Sequence, residues 1–244
     1  MSIGLAVFLV GAFAAAYVTG LAGFAFGMVA AAFWLHALTP IQTTVLMVSY
    51  ALLVQAYAVW KLRRAIVVRR IVPFIIGTAV GIPLGIAILN WAAASTLRVG
   101  VGVLLILFAI YNLARPALPQ VNKAVTALDT AVGVGNGVLG GATGLGGILP
   151  TIWSGMRDWK KDEQRAVFQP VAVASFLMLI LSLGGTGAIT ADITRLFFIG
   201  LPAVIAGTWL GWKSYGHIDE ATFRKIVLYL LLASGVALVA ISFK

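Results

Sequence analysis

Cysteine is absent from this chain of 244 residues, and histidine occurs only twice. The lack of cysteine excludes disulfide bonds, thiolate metal sites and a cysteine nucleophile. His36 and His217 lie far apart in the sequence, so neither has a metal-ligand partner at helical spacing. No metal or cofactor is therefore expected. Since no apolar segment carries a paired-carboxylate motif either, the sequence argues against an enzyme.

Charged side chains are also scarce: they make up 10% of the chain, against 61% hydrophobic residues, whereas soluble domains average about 25% charged residues. The first charged side chain is Lys61, although one membrane span needs only about 20 apolar residues. Further uncharged runs cover 71-97, 99-114, 166-191, 196-212 and 226-243. The pattern predicts an all-α polytopic integral membrane protein, embedded in the lipid bilayer and without a soluble domain.

The basic residues are concentrated in the connectors between apolar runs. A net charge of +10 would suggest nucleic acid as the partner of a soluble protein, but no nucleic-acid partner is expected here. Connector 61-70 is strongly basic and connector 91-96 is uncharged. Because basic loops remain on the cytoplasmic side of a membrane, connector 61-70 is predicted to be cytoplasmic and connector 91-96 external.

The chain contains an internal repeat. The segment Thr19-Gly20-Leu21-Ala22-Gly23 returns as Thr143-Gly144-Leu145-Gly146-Gly147, at an offset of 124 residues. Thr96-Leu97-Arg98 returns as Thr222-Phe223-Arg224 at an offset of 126, and the same offset relates Gly81 and Gly85 to Gly207 and Gly211. The sequence therefore predicts an N-terminal repeat over 1-118 and a C-terminal repeat over 119-244.

Each repeat is predicted to begin with a glycine-broken helix and to continue with three spans. The broken helices cover 4-35 and 124-155. The spans cover about 41-60, 71-90 and 97-114 in the first repeat, and about 166-184, 193-212 and 222-242 in the second.

The second broken segment is predicted to be re-entrant. If 124-155 crossed the bilayer once, Arg157, Lys160 and Lys161 would face outside, contrary to the charge rule. If it enters from the cytoplasm and returns, the basic connectors of the second repeat all lie inside. A re-entrant element followed by three crossings is an odd count, so the two repeats are predicted to be inverted. Inverted repeats around broken helices are typical of secondary transporters, which bind substrate near the midplane.

The two glycine-rich motifs are the candidate binding site. Non-helical backbone survives at membrane depth only where protein covers it or where it lines a polar cavity. A helix that restarts after a break presents free N–H groups, which attract an anion without any cationic side chain. Candidate substrate-binding residues are both motifs, with Thr19 and Thr143 as hydroxyl donors, together with Gln42 and Gln169.

Several of these features have a second interpretation. The glycines could serve close helix packing, and this interpretation is favoured for Gly77, Gly81, Gly85, Gly207 and Gly211. Asp129 is expected either to pair with Lys123 or Arg115 or to carry a coupling proton. Arg98 and Arg224 are expected either to extend towards the membrane surface or to attract an anion at the mouth of the cavity.

At its motifs the sequence resembles the sulfite exporter TauE/SafE family. The resemblance is carried by the glycine-rich copies 19-27 and 137-150 and by Arg165-Ala166-Val167, and it spans almost the whole chain. Phe168-Gln169-Pro170 departs from the family pattern of small and hydroxyl residues. The resemblance implies transport of sulfite, organosulfonates or related small anions across a bacterial-type inner or plasma membrane.

The sequence therefore predicts a multi-pass secondary transporter of a small anion that acts as an exporter. A homodimer is one oligomeric state that the sequence allows. An anion channel built on the same half-helices is one alternative. A membrane assembly protein that transports nothing is the other, although all connectors are short.

Overall fold

The computed structural model describes residues 3–22, 25–64, 66–114, 126–157, 159–214 and 220–242, and all regular secondary structure in these ranges is α-helical. The helices are α1 (Ile3–Ala22), α2 (Phe26–Trp34), α3 (Pro40–Leu62), α4 (Val68–Trp91), α5 (Ala94–Ala114), α6 (Thr126–Thr143), α7 (Ile148–Gly155), α8 (Lys161–Gly185), α9 (Ala191–Ser214) and α10 (Glu220–Ser242). His217, Lys123, Arg115 and Gly23 lie outside the described residues.

Six helices, namely α1, α4, α5, α8, α9 and α10, are long and apolar enough to cross a membrane. Helix α3 has 23 residues and contains a shorter apolar stretch, Pro40–Ala56. The prediction of an all-helical polytopic membrane protein is confirmed, while the inversion of its repeats stays a prediction. Helix α1, expected as one arm of a broken segment, is by length and composition also a candidate span.

Contacts between helices divide the chain into two compact units. Unit 1 consists of Met1–Tyr50, Ala92–Pro116 and Ile189–Lys244, and unit 2 of Ala51–Trp91 and Ala117–Ala188. Each unit combines helices from both sequence repeats. The division of the chain into units therefore does not coincide with its division into sequence repeats.

In unit 2, helices α4 and α6 pack together through glycines. A Cβ atom built at Gly81 would collide with the carbonyl oxygen of Val134, and one built at Gly137 would lie 2.8 Å from the Cα atom of Gly81. Gly85 and Gly141 meet in the same way one turn further on. The residue numbers of successive contacts increase along both helices, so α4 and α6 run in the same direction. The packing interpretation of Gly77, Gly81 and Gly85 is confirmed.

In unit 1, helix α9 packs on α1 in a similar manner. A Cβ atom built at Gly211 would lie 3.0 Å from the Cα atom of Gly20, and one built at Gly207 would lie 2.5 Å from the carbonyl oxygen of Phe13. Helices α5 and α10 approach each other at Gly102 and Gly235, where a Cβ atom on either would lie within 2.8 Å of the other's carbonyl oxygen. Small residues thus allow close backbone contact where hydrocarbon supplies no hydrophobic driving force.

The opposite face of α4 suits lipid. Its large side chains Ile76, Val80, Leu84 and Ile88 are all exposed, and their four-residue spacing places them on one side of the helix. In a soluble protein such a stripe would be buried, whereas in a bilayer it contacts acyl chains. One face of α4 therefore packs on α6 and the other faces the membrane.

Candidate functional site: two glycine-broken hairpins

The segment 126-157 in unit 2 is a hairpin whose second arm returns to the start of the first. Beyond the break, a Cβ atom built at Gly140 would lie 3.3 Å from the Cα atom of Gly146. At the other end, Trp153 Nε1 and Arg157 Nη2 donate hydrogen bonds of 2.7 and 2.6 Å to Asp129 Oδ1. The start of α6 and the end of α7 therefore lie side by side.

The break itself covers residues 144–147, and it depends on glycine at two points. Gly144 has φ 76° and Gly147 has φ 94°, in the left-handed region that strains residues with a side chain. At Gly147 a Cβ atom would also lie 2.9 Å from the Cβ atom of Ala172 on α8. Both conformation and space therefore exclude larger residues at Gly147.

A buried asparagine holds this break in place. Asn136, which is fully buried, accepts a 2.7 Å hydrogen bond from the Gly147 amide at its Oδ1. Its Nδ2 donates to Ser175 Oγ at 3.0 Å and to Thr78 Oγ1 at 3.2 Å. One side chain thus connects the break to α8 and α4. Hydrogen bonds of this kind satisfy polar groups that would be costly in an apolar interior.

Helix α7 begins immediately after the break, at Ile148. The Gly147 amide is already bonded to Asn136, and Pro150 has no N–H. The amides of Ile148 and Leu149 remain, because the first turn of a helix offers them no intrahelical acceptor. These donors add to the positive end of the helix dipole, so the arrangement favours an anion.

The base of the hairpin carries a buried ion pair. The side chains of Arg157 and Asp129 are 4% and 13% exposed. The Arg157 guanidinium also lies 5.1 and 5.6 Å from the ring centroids of Trp153 and Trp159, within the range of cation–π attraction. The partners expected for Asp129, Lys123 and Arg115, lie outside the described residues. Among the described residues Asp129 bonds the returning arm, 28 residues later in the chain.

The first glycine-rich segment, in unit 1, is also a hairpin. Trp34 Nε1, at the end of α2, donates a 2.9 Å hydrogen bond to the carbonyl oxygen of Phe8 in α1. Helix α1 remains helical through Ala22, and among the described residues of this segment Ala25 has positive φ, at 77°. Thr19, Gly20 and Leu21 therefore lie in the last turn of a helix.

Gly20 packs against protein. A Cβ atom built there would lie 2.6 Å from the carbonyl oxygen of Thr208 and 3.2 Å from the Cα atom of Gly211. Gly20 thus allows α9 to approach α1. Any role in ligand binding would have to come from its backbone.

The predicted polar ligands differ in the hydrogen bonds that they already make. Thr19 and Thr143 donate their hydroxyl hydrogens to the carbonyl groups of Ala15 and Leu139, four residues earlier, at 2.8 and 2.7 Å. Thr143 Oγ1 also accepts the Leu145 amide at 3.2 Å. Their hydrogens are therefore occupied within their own helices.

Gln42 takes part in a capping box at the start of α3. Its Oε1 accepts the Thr39 amide at 3.1 Å, and Thr39 Oγ1 accepts the Gln42 amide at 3.2 Å. Gln169, in contrast, is buried and its Oε1 has no hydrogen-bond partner among the described residues.

Comparison with known proteins identifies the family of the chain. The family model of the sulfite exporter TauE/SafE matches residues 7–238, nearly the whole chain. The chain belongs to the sulfite exporter TauE/SafE family. No curated protein and no solved structure matches it. As a TauE/SafE protein it is a multi-pass membrane protein of a transporter family.

Sequence reasoning missed two structural features of this TauE/SafE chain. The capping box was visible as Thr39-Pro40-Ile41-Gln42, since Thr or Ser followed three residues later by Gln is its signature. The pairing of Asp129 with Arg157 left no signal in the sequence, because it depends on how far the second arm of the hairpin returns. Asn136 is among the polar residues of the apolar runs that the sequence suggests as lining residues of a cavity, but its bond to the break was not predicted.

Histidine offers no alternative chemistry in the described part of the chain. His36 is exposed, and its Nε2 lies 3.3 Å from Ser234 Oγ. Partial burial, and secondarily the Arg98 guanidinium, lower the pKa of His36 below its usual value. Among the described residues no three His, Cys, Asp or Glu side chains cluster as a metal site would require.

Proposed function

We propose that this protein is a secondary transporter that moves sulfite or a small organosulfonate outward across the cell inner or plasma membrane. The observation that carries the proposal is the break at residues 144–147. It is stabilised by Asn136 and followed by a helix start with two amides that lack an intrahelical acceptor. Membership of the TauE/SafE family supports the same substrate class.

Helix starts suit a transporter of anions better than a cationic side chain does. A buried Lys or Arg would attract an anion strongly and would itself be costly in the membrane. Backbone amides offer hydrogen bonds and a partial positive charge without that cost. The binding free energy of the anion can therefore offset the loss of its hydration. Binding still remains weak enough for the anion to dissociate on the other side of the membrane.

The proposed topology is the inverted one. In unit 2 the base of the hairpin lies near Trp159, whose ring centroid is 5.1 Å from the guanidinium of Arg70, in the connector that the charge pattern assigns to the cytoplasm. In unit 1 the second arm ends next to Leu35, whose carbonyl accepts a 3.1 Å hydrogen bond from Arg98. Arg98 follows connector 91-96, which the charge pattern assigns to the exterior. These contacts support entry of the two hairpins from opposite faces.

Purified protein in liposomes tests the proposal. Saturable uptake of labelled sulfite or methanesulfonate, with counterflow driven by internal substrate, is the expected result. Single-channel currents would show a channel instead, and the absence of both flux and anion binding would contradict transport.

A matched glycine pair tests the break itself. Gly147 and Gly187 both have positive φ, at 94° and 73°, but only at Gly147 does a neighbouring side chain occupy the position of a Cβ atom. We expect Gly147→Ala to lose at least about tenfold in anion affinity, because the start of α7 must move. Gly187→Ala carries a similar strain of about 1 kcal/mol and should transport normally. Equal transport by both variants would remove the break from the site.

A further inference from the structure

Residues 63-70, which join α3 to α4 in unit 2, include four arginines, and two of them have partners within the protein. Arg63 lies 4.6 Å from the ring centroid of Trp60 and donates a 3.2 Å hydrogen bond from Nη1 to the Trp60 carbonyl oxygen. Arg70 lies 3.5 Å from Glu163 and 5.1 Å from the ring centroid of Trp159. The guanidinium groups of Arg63 and Arg70 are thus engaged inside unit 2.

Arg64 and Arg69 differ from these two arginines. Both side chains are exposed, and neither forms an ion pair with any residue that the structure describes. Arg69 lies in the first turn of α4, which contains no acidic residue, although acidic rather than basic residues stabilise the start of a helix. Stabilisation of the fold therefore does not explain these two charges.

The lipid-facing stripe of α4 begins beside Arg69. Val68 and Val72 are exposed and extend the four-residue spacing of the stripe from Ile76 back to the first turn of the helix. Arg69 precedes Val72 by three residues and Ile76 by seven, so all three lie on one side of α4. An exposed arginine thus lies at the end of a surface that contacts acyl chains.

The segment that carries the arginines is held on the core of unit 2. Ile66 and Trp159 both pack against one hydrophobic cluster of buried residues, namely Ile71, Phe74, Val167 and Val171. Ile66 is two residues from Arg64 and three from Arg69 in the chain. Packing of Ile66 therefore keeps both arginines next to the first turn of α4.

A membrane phospholipid with an anionic headgroup fits this combination of charge and apolar surface. Its phosphate carries a negative charge, and a guanidinium binds phosphate oxygens through paired N–H···O hydrogen bonds. Its acyl chains match the exposed side chains of Val72 and Ile76. A soluble anion would pair with the arginines but would leave this apolar surface without a contact.

We infer that Arg64 and Arg69 bind the phosphodiester headgroup of an anionic phospholipid whose acyl chains lie along the exposed stripe of α4. The charge rule explains why basic connectors stay on one side of a membrane, but it does not explain why two arginines without ion-pair partners flank this stripe. Basic residues next to a membrane helix are attracted to anionic lipids. The site lies within unit 2 and does not depend on the proposed transport activity.

Thermal denaturation of the purified protein in detergent, titrated with lipid, tests the inference. Dioleoylphosphatidylglycerol should raise Tm, because a ligand that binds the native state stabilises it. Dioleoylphosphatidylcholine has the same acyl chains and no net charge, so it should raise Tm less. Arg64→Gln and Arg69→Gln should each raise the half-saturating concentration of the anionic lipid about fivefold. The double variant should respond equally to both lipids.

Three controls separate binding at this site from effects of total charge and of folding. Lys213→Gln removes an exposed charge from the last turn of α9 and should keep the wild-type response to lipid. Replacing Arg64 and Arg69 together by lysine keeps both charges and should retain the preference for phosphatidylglycerol. Without lipid, the double glutamine variant should have the Tm of the wild type, since its arginines have no ion-pair partner among the described residues.

Salt provides a test that needs no variant. Sodium chloride at about 0.5 M should remove the preference of the wild type for phosphatidylglycerol, because salt screens exposed charges. A preference that survives this salt concentration, or one that the double glutamine variant retains, would overturn the inference. An equal response of the wild type to both lipids would do the same. Sodium phosphate that raised Tm as much as phosphatidylglycerol would show that the ligand is a soluble anion and not a lipid.

Discussion

One side-chain contact holds the two arms of each hairpin together, and the contact made by Asp129 can be tested by mutation. Its carboxylate neutralises Arg157, whose side chain is 4% exposed. We expect Asp129→Asn to lower the free energy of unfolding by about 3 kcal/mol, because the substitution removes the charge of one member of a buried ion pair. In a chain of this length the Tm should fall by about 5 °C or more. Thermal denaturation in detergent measures it.

The second ion pair of unit 2 provides the control. Arg70 and Glu163 lie 3.5 Å apart with side chains 39% and 46% exposed, and exposed pairs of this kind contribute less than about 1 kcal/mol. Glu163→Gln should therefore change Tm little. A Tm for Asp129→Asn that matches Glu163→Gln would show that the hairpin base does not depend on this charge.

For single residues, the sequence predicts which residues are structurally important better than it predicts the contacts that they make. Gly144 and Gly147 were identified because only glycine adopts positive φ without strain. Thr143 was singled out for its hydroxyl, but that hydroxyl bonds Leu139, a local bond that threonine commonly makes within helices. Asn136 bonds residues 58 and 39 positions away. Such contacts depend on the packing of three helices and leave no local signal.

Among the elements, the contact between α4 and α6 depends most directly on glycine. We expect Gly81→Ala to force the two helices apart, because the new Cβ atom would collide with the carbonyl oxygen of Val134. Backbone cannot move aside as a flexible side chain can, so a destabilisation of about 2 kcal/mol is expected. The Tm of the purified protein measures it.

Gly100→Ala is the matched control, because it is the same substitution at a position without close neighbours. Gly100 lies in α5, and a Cβ atom there would meet nothing within 4 Å. Gly100→Ala should leave Tm unchanged or raise it, since alanine favours a helix by about 1 kcal/mol over glycine. A Gly81→Ala protein as stable as Gly100→Ala would mean that α4 and α6 can separate without cost.

The helices themselves were largely predictable, since long apolar runs leave few alternatives in a membrane. The two breaks were less so. The second coincides with its motif, whereas in the first the helix continues through Ala22, beyond Thr19-Gly20-Leu21. Gly20 is needed there for the approach of α9. A glycine that permits packing and one that permits a turn are identical in sequence, and only the neighbouring helix separates them.

For the whole molecule, the remaining question is the direction in which each hairpin enters the membrane. The charge rule predicts that Thr126 and Lys160, at the two ends of the second hairpin, face the cytoplasm, and that Ala37 and Ser95 face outside. All four are exposed in the structure. Because the chain has no cysteine, each can be replaced singly by cysteine without other changes. An impermeant thiol reagent on intact cells should label positions 37 and 95, and should label 126 and 160 only after permeabilisation.

The four positions together decide between topologies. Positions 126 and 160 lie on the same face if their segment is re-entrant, although the intervening residues would suffice for one tilted span. Labelling of 160 but not 126 from outside would mean that this segment crosses the bilayer. Labelling of 37 and 160 on the same face would mean that the repeats are not inverted. Either result would show that the inverted topology is wrong.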